Sequence, residues 1–444
     1  MTDHYQRMTT APVRGLILKL AMPTVVSMLI TAIYNMATTF YVGRLSTEAT
    51  AAVGVAFAAM AIIQAVGFFF GQGSGNAISR HLGARETKQA AVISATGFFV
   101  GIVVAALLAA CALLGLTPLC RLLGATNTIM PHTIEYLTPI LAGAPIMTAA
   151  LTLNNQLRFQ GNALLGMMGI ASGSILNIGL QPLFIFALDM GLHGAAICTV
   201  LCQSISLIIL LHLNTRYGSV PLSIRATRLN RNILAEIARG GLPSLARQGL
   251  ACLATLLLNH AAANYGDAAI AGMSITTRIT FMAYAVFIGL GQGYQPVCGY
   301  CYGAHRYDRV WQGFRFCTLY GTAGMFLLSI VGVAWAEPLV ALFRNDATVV
   351  DVGAVALRWQ LMVYPLNMFV TISNMTLQTI GRARRATILA SARQGIFFIP
   401  AILLLPPLIG LTGVQLATPI ADTCSFVLAF PLIKDTLREL RTTV

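Results

Sequence analysis

The sequence is poor in charge, and above all in negative charge. Only 9% of its 444 residues are Asp, Glu, Lys or Arg, and 14 acidic residues stand against 28 basic ones. Soluble domains carry about 25% charged residues. Hydrophobic residues make up 57% of the chain, and the mean hydropathy is +0.76. These values exclude a soluble globular protein and predict that the bilayer is the main solvent of the chain.

Motifs for catalysis and cofactor binding are also missing. The nine cysteines show no metal-ligand spacing, no HExxH is present, and no ATP-binding motif occurs. The stretch GQGSGN (71–76) has the look of a dinucleotide fingerprint, but it lies in an apolar run and follows no strand. A membrane-embedded enzyme and a non-transporting receptor or scaffold are the alternatives we weigh. We predict a protein that is not an enzyme and that has no metal and no organic cofactor.

Long apolar runs dominate the rest of the chain. They lack the polar–apolar alternation of barrel strands, and a backbone in hydrocarbon must satisfy its own hydrogen bonds, so helices are predicted. The fold class is therefore all-α: a polytopic membrane protein with twelve transmembrane helices. The predicted spans are 16–41, 51–78, 90–116, 132–156, 163–188, 191–213, 240–264, 269–298, 311–334, 352–378, 386–408 and 411–433.

The two halves of the sequence repeat each other. Pro23 recurs as Pro243, 220 positions later, and the triplet at 71–73 recurs at 291–293 with the same offset. Several coincidences in the same order indicate a duplicated six-helix unit. We expect two pseudo-symmetric six-helix bundles, which could expose a site between or within them to one side of the membrane at a time.

Charge along the loops predicts domains and orientation. We place an N-terminal lobe (helices 1–6) at residues 1–213, a cytoplasmic linker at 214–239 and a C-terminal lobe (helices 7–12) at 240–444. The basic residues that lie in loops are found mostly on one face, and the other face has only Arg44, Arg121, Arg344 and Arg358. The positive-inside bias predicts that both termini are cytoplasmic. The same distribution in short loops argues against binding of nucleic acid.

Three stretches show a family resemblance: LAMPTVVSMLITAIYNMATTFYVGRL (20–45), GQGSGNAISRHLGAR (71–85) and GLGQGYQPVCGYCYGA (289–304). With similar stretches along the whole chain, they resemble the multidrug and toxic compound extrusion (MATE) transporters, and within them the bacterial MepA-like group. The resemblance implies a multi-pass protein of the bacterial cytoplasmic (inner) membrane with a central cavity. It implies export of amphipathic organic compounds in exchange for H+ or Na+.

Two other functions stay open at this stage. One is a flippase for lipid-linked saccharides from the same superfamily, and the other is an exporter of a specific anionic or zwitterionic metabolite. In each case we expect a monomer whose partners are a small-molecule substrate and the lipid bilayer. The coupling ion, H+ or Na+, is the only ionic cofactor expected.

The chain departs from the family pattern in its first half. Similar proteins often read YNxxD in helix 1 and NxxLDP in helix 5, whereas here Thr38 and Gln181 stand at the acidic positions. A proton carrier needs a group that titrates, which neither side chain does, and a sodium site favours an anionic oxygen. The candidates carried over are Asn177 and Thr199 for ion coupling, and Tyr34, Asn35, Thr38, Asn154 and Gln181 for the substrate cavity.

The embedded charges lie in the second half. Asp422 is the one acidic residue near the middle of a predicted span, and a bare carboxylate there costs several kcal/mol. It is predicted to be either a proton or cation relay or a structural partner of an intramembrane arginine. His260, a type of side chain that exchanges protons near neutral pH, is a second coupling candidate. Arg278 and Arg393, with Tyr284, are predicted to line the substrate cavity. There the arginines either form a salt-bridge network that titrates through Asp422 or attract an anionic part of the substrate.

Overall fold

The computed structural model describes residues 2–442, and that part of the chain is helical without a strand. The helices of the first half are α1 (Thr2–Thr10), α2 (Val13–Gly43), α3 (Thr47–Gly83), α4 (Thr87–Leu114), α5 (Leu116–Leu122), α6 (Met130–Ala142), α7 (Ala144–Phe159), α8 (Ala163–Pro182) and α9 (Gly191–Tyr217). A π-helical turn, Leu183–Ala187, extends α8, and a single 3-10 turn, Ile224–Ala226, lies in the connection to the second half.

The second half repeats this order of elements. Its helices are α10 (Arg231–Ala263), α11 (Asp267–Gly303), α12 (Tyr307–Ala334), α13 (Ala336–Phe343), α14 (Ala347–Val363), α15 (Leu366–Thr379), α16 (Ala383–Ser391), α17 (Phe398–Ile409) and α18 (Leu411–Thr442). A π-helical turn, Ala392–Ile396, connects α16 to α17.

Twelve helical segments match the twelve predicted spans. Ten of them are continuous and long and apolar enough to cross a membrane, and two more are bent pairs: α6 with α7 at 53° and α14 with α15 at 57°. Each bend has a proline beside it, Pro145 or Pro365, which lie 220 positions apart. Proline cannot donate the backbone hydrogen bond that would continue the preceding helix. The all-α, twelve-span fold class is confirmed.

Two compact units emerge from the contacts of the described residues. One comprises Val26–Leu245 with residues 2–5, and the other comprises Gln6–Val25 with Ala246 onward. The boundaries at 25/26 and 245/246 lie 220 positions apart, which is the repeat offset. They cut α2 and α10 internally, whereas the lobes predicted above are delimited by loops. Those lobe limits stay a prediction.

In the first unit the glycine stretch of α3 brings helix backbones close together. A Cβ atom added to Gly73 would lie 2.3 Å from the carbonyl oxygen of Ile237 on α10, and one on Gly71 would lie 2.9 Å from Cβ of Asn155 on α7. Both distances are too short for any residue with a side chain. Small residues allow membrane helices to approach to this extent. The glycine stretch at 71–73, which we call the glycine phrase of the first unit, therefore fixes the packing of α3 against α7 and α10.

The glycine phrase of the second unit, residues 291–293 of α11, brings helices close together in the same way. A Cβ atom on Gly293 would lie 2.6 Å from the backbone nitrogen of Ala21 on α2, and one on Gly291 would lie 2.5 Å from the sulfur of Met375 on α15. Ala21 stands 220 positions from Gly241, whose backbone nitrogen would lie 3.0 Å from a Cβ atom on Gly73. Met375 stands 220 positions from Asn155. The repeat therefore extends from the sequence to individual contacts.

Each unit has its own apolar core. In the first unit the core lies among α3, α6 and α9, and in the second unit it lies among α10, α11, α17 and α18. Most of these helices are apolar over much of their circumference, and many large apolar side chains stay exposed, as expected for helices in lipid. Polar side chains buried within each unit thus stand out against an apolar background.

Candidate functional site

The second unit contains a buried ion pair. Asp422 of α18 is 2% exposed, and its carboxylate accepts hydrogen bonds from Arg393, with Nε 2.6 Å from Oδ1 and Nη2 3.4 Å from Oδ2. The Arg393 side chain keeps 24% of its surface exposed. Of the predicted coupling and cavity residues of this half, these two are brought into direct contact.

Asn367 and neighbouring hydroxyl groups complete the cluster around Asp422. The Asn367 amide donates from Nδ2 to Asp422 Oδ2 at 2.8 Å. The Tyr284 hydroxyl donates to Thr371 Oγ1, and Thr371 donates to the Asn367 carbonyl oxygen at 2.7 Å. Arg393 Cζ lies 5.1 Å from the centre of the Tyr284 ring, a cation–π contact. The carboxylate is held by the charge of Arg393 and by the Asn367 amide, and the two hydroxyl groups connect Tyr284 to the backbone of Asn367.

A local irregularity of the helix coincides with the arginine of this cluster. Arg393 lies in the π-helical turn Ala392–Ile396, and such turns occur often at functional sites because they disrupt the regular i to i+4 hydrogen-bond pattern. Pro400 then falls in the first turn of α17, where a missing backbone N–H costs little. Gly395 lies against Leu250 of α10, to which a Cβ atom would come within 2.8 Å.

Arg247 is a second embedded cation of this unit. It is partly buried, and its Nη1 lies 3.4 Å from Oδ1 of Asn374. The Asn374 amide in turn donates to the Ala386 carbonyl oxygen at 2.6 Å, which fixes its oxygen toward the arginine. Among residues 2–442 no carboxylate lies within ion-pair distance of Arg247.

The other candidates of the second half lie apart from this cluster. Arg278 on α11 is exposed, and so is His260 in the last turn of α10. Neither forms a hydrogen bond or an ion pair with Asp422 or Arg393. The structure therefore brings together Asp422, Arg393 and Tyr284 and leaves the other two candidates elsewhere. Their assignment to the site stays a prediction.

The first unit holds a neutral polar cluster at the family's acidic positions. The Thr38 hydroxyl lies 3.1 Å from Oε1 of Gln181 and 3.0 Å from the Tyr34 carbonyl oxygen. One turn earlier on α8, Asn177 donates from Nδ2 to Thr199 Oγ1 at 3.3 Å. All four side chains of the two pairs, Thr38, Gln181, Asn177 and Thr199, are less than 4% exposed. Thr38 therefore contacts Gln181, Asn177 contacts Thr199, and none of these side chains carries a charge.

This neutral cluster keeps unused hydrogen-bonding capacity. Asn177 Oδ1 and Gln181 Nε2 are buried and have no partner in the described part of the protein. Tyr34 is buried beside the cluster, whereas Asn35 and Asn154 are partly buried; Asn154 lies against Gly166 of α8. A buried acceptor and a buried donor without partners suit a water molecule or a neutral polar group better than a metal cation.

Sequence reasoning missed the contribution of α15. Asn367, Thr371 and Asn374 follow one another at the spacing i, i+4, i+7, so they lie on one face of that helix. The stripe faces both arginines, since Asn367 contacts Asp422 beside Arg393 and Asn374 contacts Arg247. Polar residues at this spacing in an apolar span were the signal available for finding them.

The repeated units and their buried polar clusters define a class of protein: multi-pass membrane transporters built from duplicated halves. The chain belongs to the MatE family, whose model matches residues 23–183 and 243–403. The two matched segments are offset by the same 220 positions as the repeat. The resemblance found in the sequence is confirmed, and the protein is a transporter and not an enzyme.

Comparisons over the full length agree with this membership. The multidrug export protein MepA of Staphylococcus aureus (strain MRSA252) is 27% identical over 432 residues, covering 97% of this chain and 95% of that protein. A MATE transporter crystallised in complex with MaL6 superposes with a TM-score of 0.93 at 25% identity, with both chains covered completely. An outward-facing multidrug resistance MATE transporter of the MOP superfamily gives 0.91 at 25% identity, with 98% of each chain covered.

Proposed function

We propose that this protein is a proton-driven antiporter that exports amphipathic organic compounds across the cytoplasmic membrane of a bacterium. Family membership supports transport, and the names of the relatives, a multidrug export protein and a multidrug resistance transporter, support organic compounds as substrates. We also propose that it acts as a monomer with both termini in the cytoplasm.

One observation carries the choice of coupling ion. Asp422 is buried in an apolar helix bundle, and Arg393 and Asn367 hold its carboxyl group in place. Breaking such a pair by removing one charge is costly, because the remaining charge is buried without a counterion. Binding of a proton to Asp422 changes the charge of this cluster without the entry of a metal cation.

Asn367 is suited to both protonation states of the carboxyl group. Its Nδ2 donates to the carboxylate, and its Oδ1 is buried without a partner in the part of the chain that the structure describes. Rotation of the amide would present Oδ1 to a protonated carboxyl group as an acceptor. The protonated group would no longer attract Arg393, whose partly exposed guanidinium would be free to move.

The neutral cluster of the first unit supports the same proposal because it lacks the anionic oxygen that a sodium site favours. A sodium ion requires several oxygen ligands, and an anionic one offsets the loss of its hydration shell. Thr38 and Gln181 occupy the positions where similar proteins carry acids and bond to each other instead. We therefore assign coupling to the second unit.

The test uses the Asp422→Asn variant in proteoliposomes with pH and sodium gradients imposed separately. Wild-type protein is expected to export substrate when a pH gradient is imposed, whereas the variant should lose this drive and retain only downhill flux. Asp435→Asn, a matched change on the same helix at an exposed ion pair with Arg385, should behave like wild type. Undiminished pH-driven export by Asp422→Asn, or export driven by sodium alone, would refute the assignment.

A further inference from the structure

The membrane part of the second unit carries more positive than negative charge. Arg393 is balanced by Asp422, but within residues 2–442 Arg247 has only the amide oxygen of Asn374 at 3.4 Å, at the long end of hydrogen-bond distances. Guanidinium stays protonated in proteins and offers five N–H donors. A cation in this position within an apolar helix bundle is therefore short of acceptors.

Arg247 and Arg393 both lie close to the polar stripe of α15. Arg393 stacks over the Tyr284 ring, and the Tyr284 hydroxyl contacts Thr371. Arg247 contacts Asn374, which lies one turn from Thr371 on the same face of α15. The side chains of Arg247, Tyr284 and Arg393 are partly exposed. A ligand could therefore reach one surface that combines two guanidinium groups with an aromatic ring, which we call the Arg247–Tyr284 surface.

The internal repeat shows that this charge belongs to the second half. At the offset of 220 positions, Arg247 corresponds to Ser27 and Tyr284 to Gln64. The helix packing at the glycine phrases is the same in both units, so the fold does not require these charges. They mark a function of the second unit alone.

We propose that the Arg247–Tyr284 surface binds an anionic group (a carboxylate, sulfonate or phosphate) of the compound that the protein exports. This inference rests on the proposed export function and specifies its substrate class. Arg247 supplies the charge, Asn374 holds its side chain in place, and the Tyr284 ring offers a stacking face to the apolar part of an amphipathic ligand. Charge-assisted hydrogen bonds from guanidinium to a carboxylate are about twice as strong as neutral ones.

The test compares three probes that share one fluorophore and differ in charge. They are dansylglycine (anionic), its carboxamide (neutral) and a dansyl derivative with a trimethylammonium group (cationic). Binding is followed by the rise in dansyl fluorescence with purified full-length protein. We expect wild type to bind dansylglycine at least about tenfold more tightly than the cationic probe, as one charge-assisted hydrogen bond would give.

Substitutions test whether Arg247 is the residue that binds the anionic group. Arg247→Gln should lose the preference for dansylglycine over its carboxamide, and Arg247→Lys should keep a reduced preference because it retains the charge without the planar donors. Arg315→Gln, which removes the same charge from an exposed position on α12 of the same unit, should match wild type. If Arg247→Gln does not fold, the graded loss in Arg247→Lys provides the readout.

A lipid headgroup carries the same chemistry, so the assay has a lipid arm. The protein is reconstituted in phosphatidylcholine alone or with added phosphatidylglycerol, and uptake of the three probes is measured. Transport of dansylglycine in both membranes supports the proposal. Competition by phosphatidylglycerol in wild type but not in Arg247→Gln, without transport of dansylglycine, would assign the surface to lipid and overturn it.

Failure of the anion proposal can be distinguished from failure of the proposed export function. If the cationic probe is bound and exported while dansylglycine is ignored, or if Arg247→Gln binds dansylglycine as wild type does, the inference about the anion is wrong and the export function stands. If no probe and no other organic compound is moved under any gradient, the export function itself is wrong, and the anion proposal falls with it.

Discussion

The most consequential pair of residues is Arg393 and Asp422, since each is the counterion of the other. Asp422 is almost completely buried, and Arg393 donates to both carboxylate oxygens. A buried ion pair adds little net stability compared with apolar residues, but losing one partner costs about 3–5 kcal/mol. At the residue scale the two positions should therefore behave as a unit.

We predict that Arg393→Met lowers the melting temperature of the purified protein markedly, because it leaves the Asp422 carboxylate without its cation. The double variant Arg393→Met with Asp422→Asn should regain most of the loss, since neither position then carries a charge that has lost its counterion. Thermal melting in detergent, analysed as a double-mutant cycle, measures this. Additive losses in the cycle would mean that the two side chains do not depend on each other.

The glycine phrases are the feature that matters at the scale of helices. Gly73 on α3 and Gly293 on α11 each face a backbone of a neighbouring helix, so there is no flexible side chain that could move aside. Gly54, also on α3, has no atom within 4 Å of where its Cβ would be. The same helix therefore contains a glycine required by packing and one that is not.

We predict opposite effects for alanine at these positions. Gly73→Ala and Gly293→Ala should each lower stability by about 1–3 kcal/mol, because the added methyl group forces two helices apart. Gly54→Ala should be neutral or stabilising by up to about 1 kcal/mol, since alanine is the better helix former. Melting temperatures of the three variants check this, and a similar loss in all three would contradict the packing argument.

The bent spans are a second feature of this scale. α6 and α7 meet at 53°, α14 and α15 meet at 57°, and Pro145 and Pro365 recur beside the bends. α15 follows the second bend and carries Asn367, Thr371 and Asn374 along one face. The break thus allows this half-span to follow its own direction and to present its polar stripe to Asp422 and Arg247.

For the whole molecule, the charge asymmetry of the loops yields a topological prediction. Short loops rich in Arg and Lys stay in the cytoplasm, so green fluorescent protein fused to the C-terminus should fluoresce. Alkaline phosphatase fused after residue 128, between α5 and α6, should be active outside. Active phosphatase at the C-terminus, compared with an internal fusion in the connection 218–230 as a cytoplasmic reference, would reverse the orientation.

The sequence predicted much of the architecture correctly. The number and positions of the spans, the duplication and the family membership followed from composition, hydrophobic run length and recurring phrases. The neutrality of the first unit's cluster also followed, because Thr38 and Gln181 stand at recognisable motif positions. The bends at Pro145 and Pro365 divided spans that the sequence showed as continuous, since proline in an apolar run does not reveal the angle it imposes.

The sequence reached the candidate site only in part. It singled out Asp422 and Arg393 by their cost in a membrane, but Asn367 and Asn374 went unnoticed, and His260 and Arg278 lie apart from the cluster. Contacts of this kind join residues 29 and 55 positions apart. They depend on the rotation of each helix about its axis, which helices apolar on many sides do not reveal.

By itself the sequence determined that the protein lies in a lipid bilayer, that it is all-helical, that it has twelve spans and that its halves repeat. Each of these properties depends on residue type and spacing along the chain. Only the tertiary structure decided that the starts of α2 and α10 pack against the glycine phrases of α11 and α3. It alone paired Asp422 with Arg393 and Asn367 and, in the part of the chain that the structure describes, placed no carboxylate within ion-pair distance of Arg247. The physical reason is that partners of buried polar groups are selected by geometry across helices, and local sequence carries no record of that geometry.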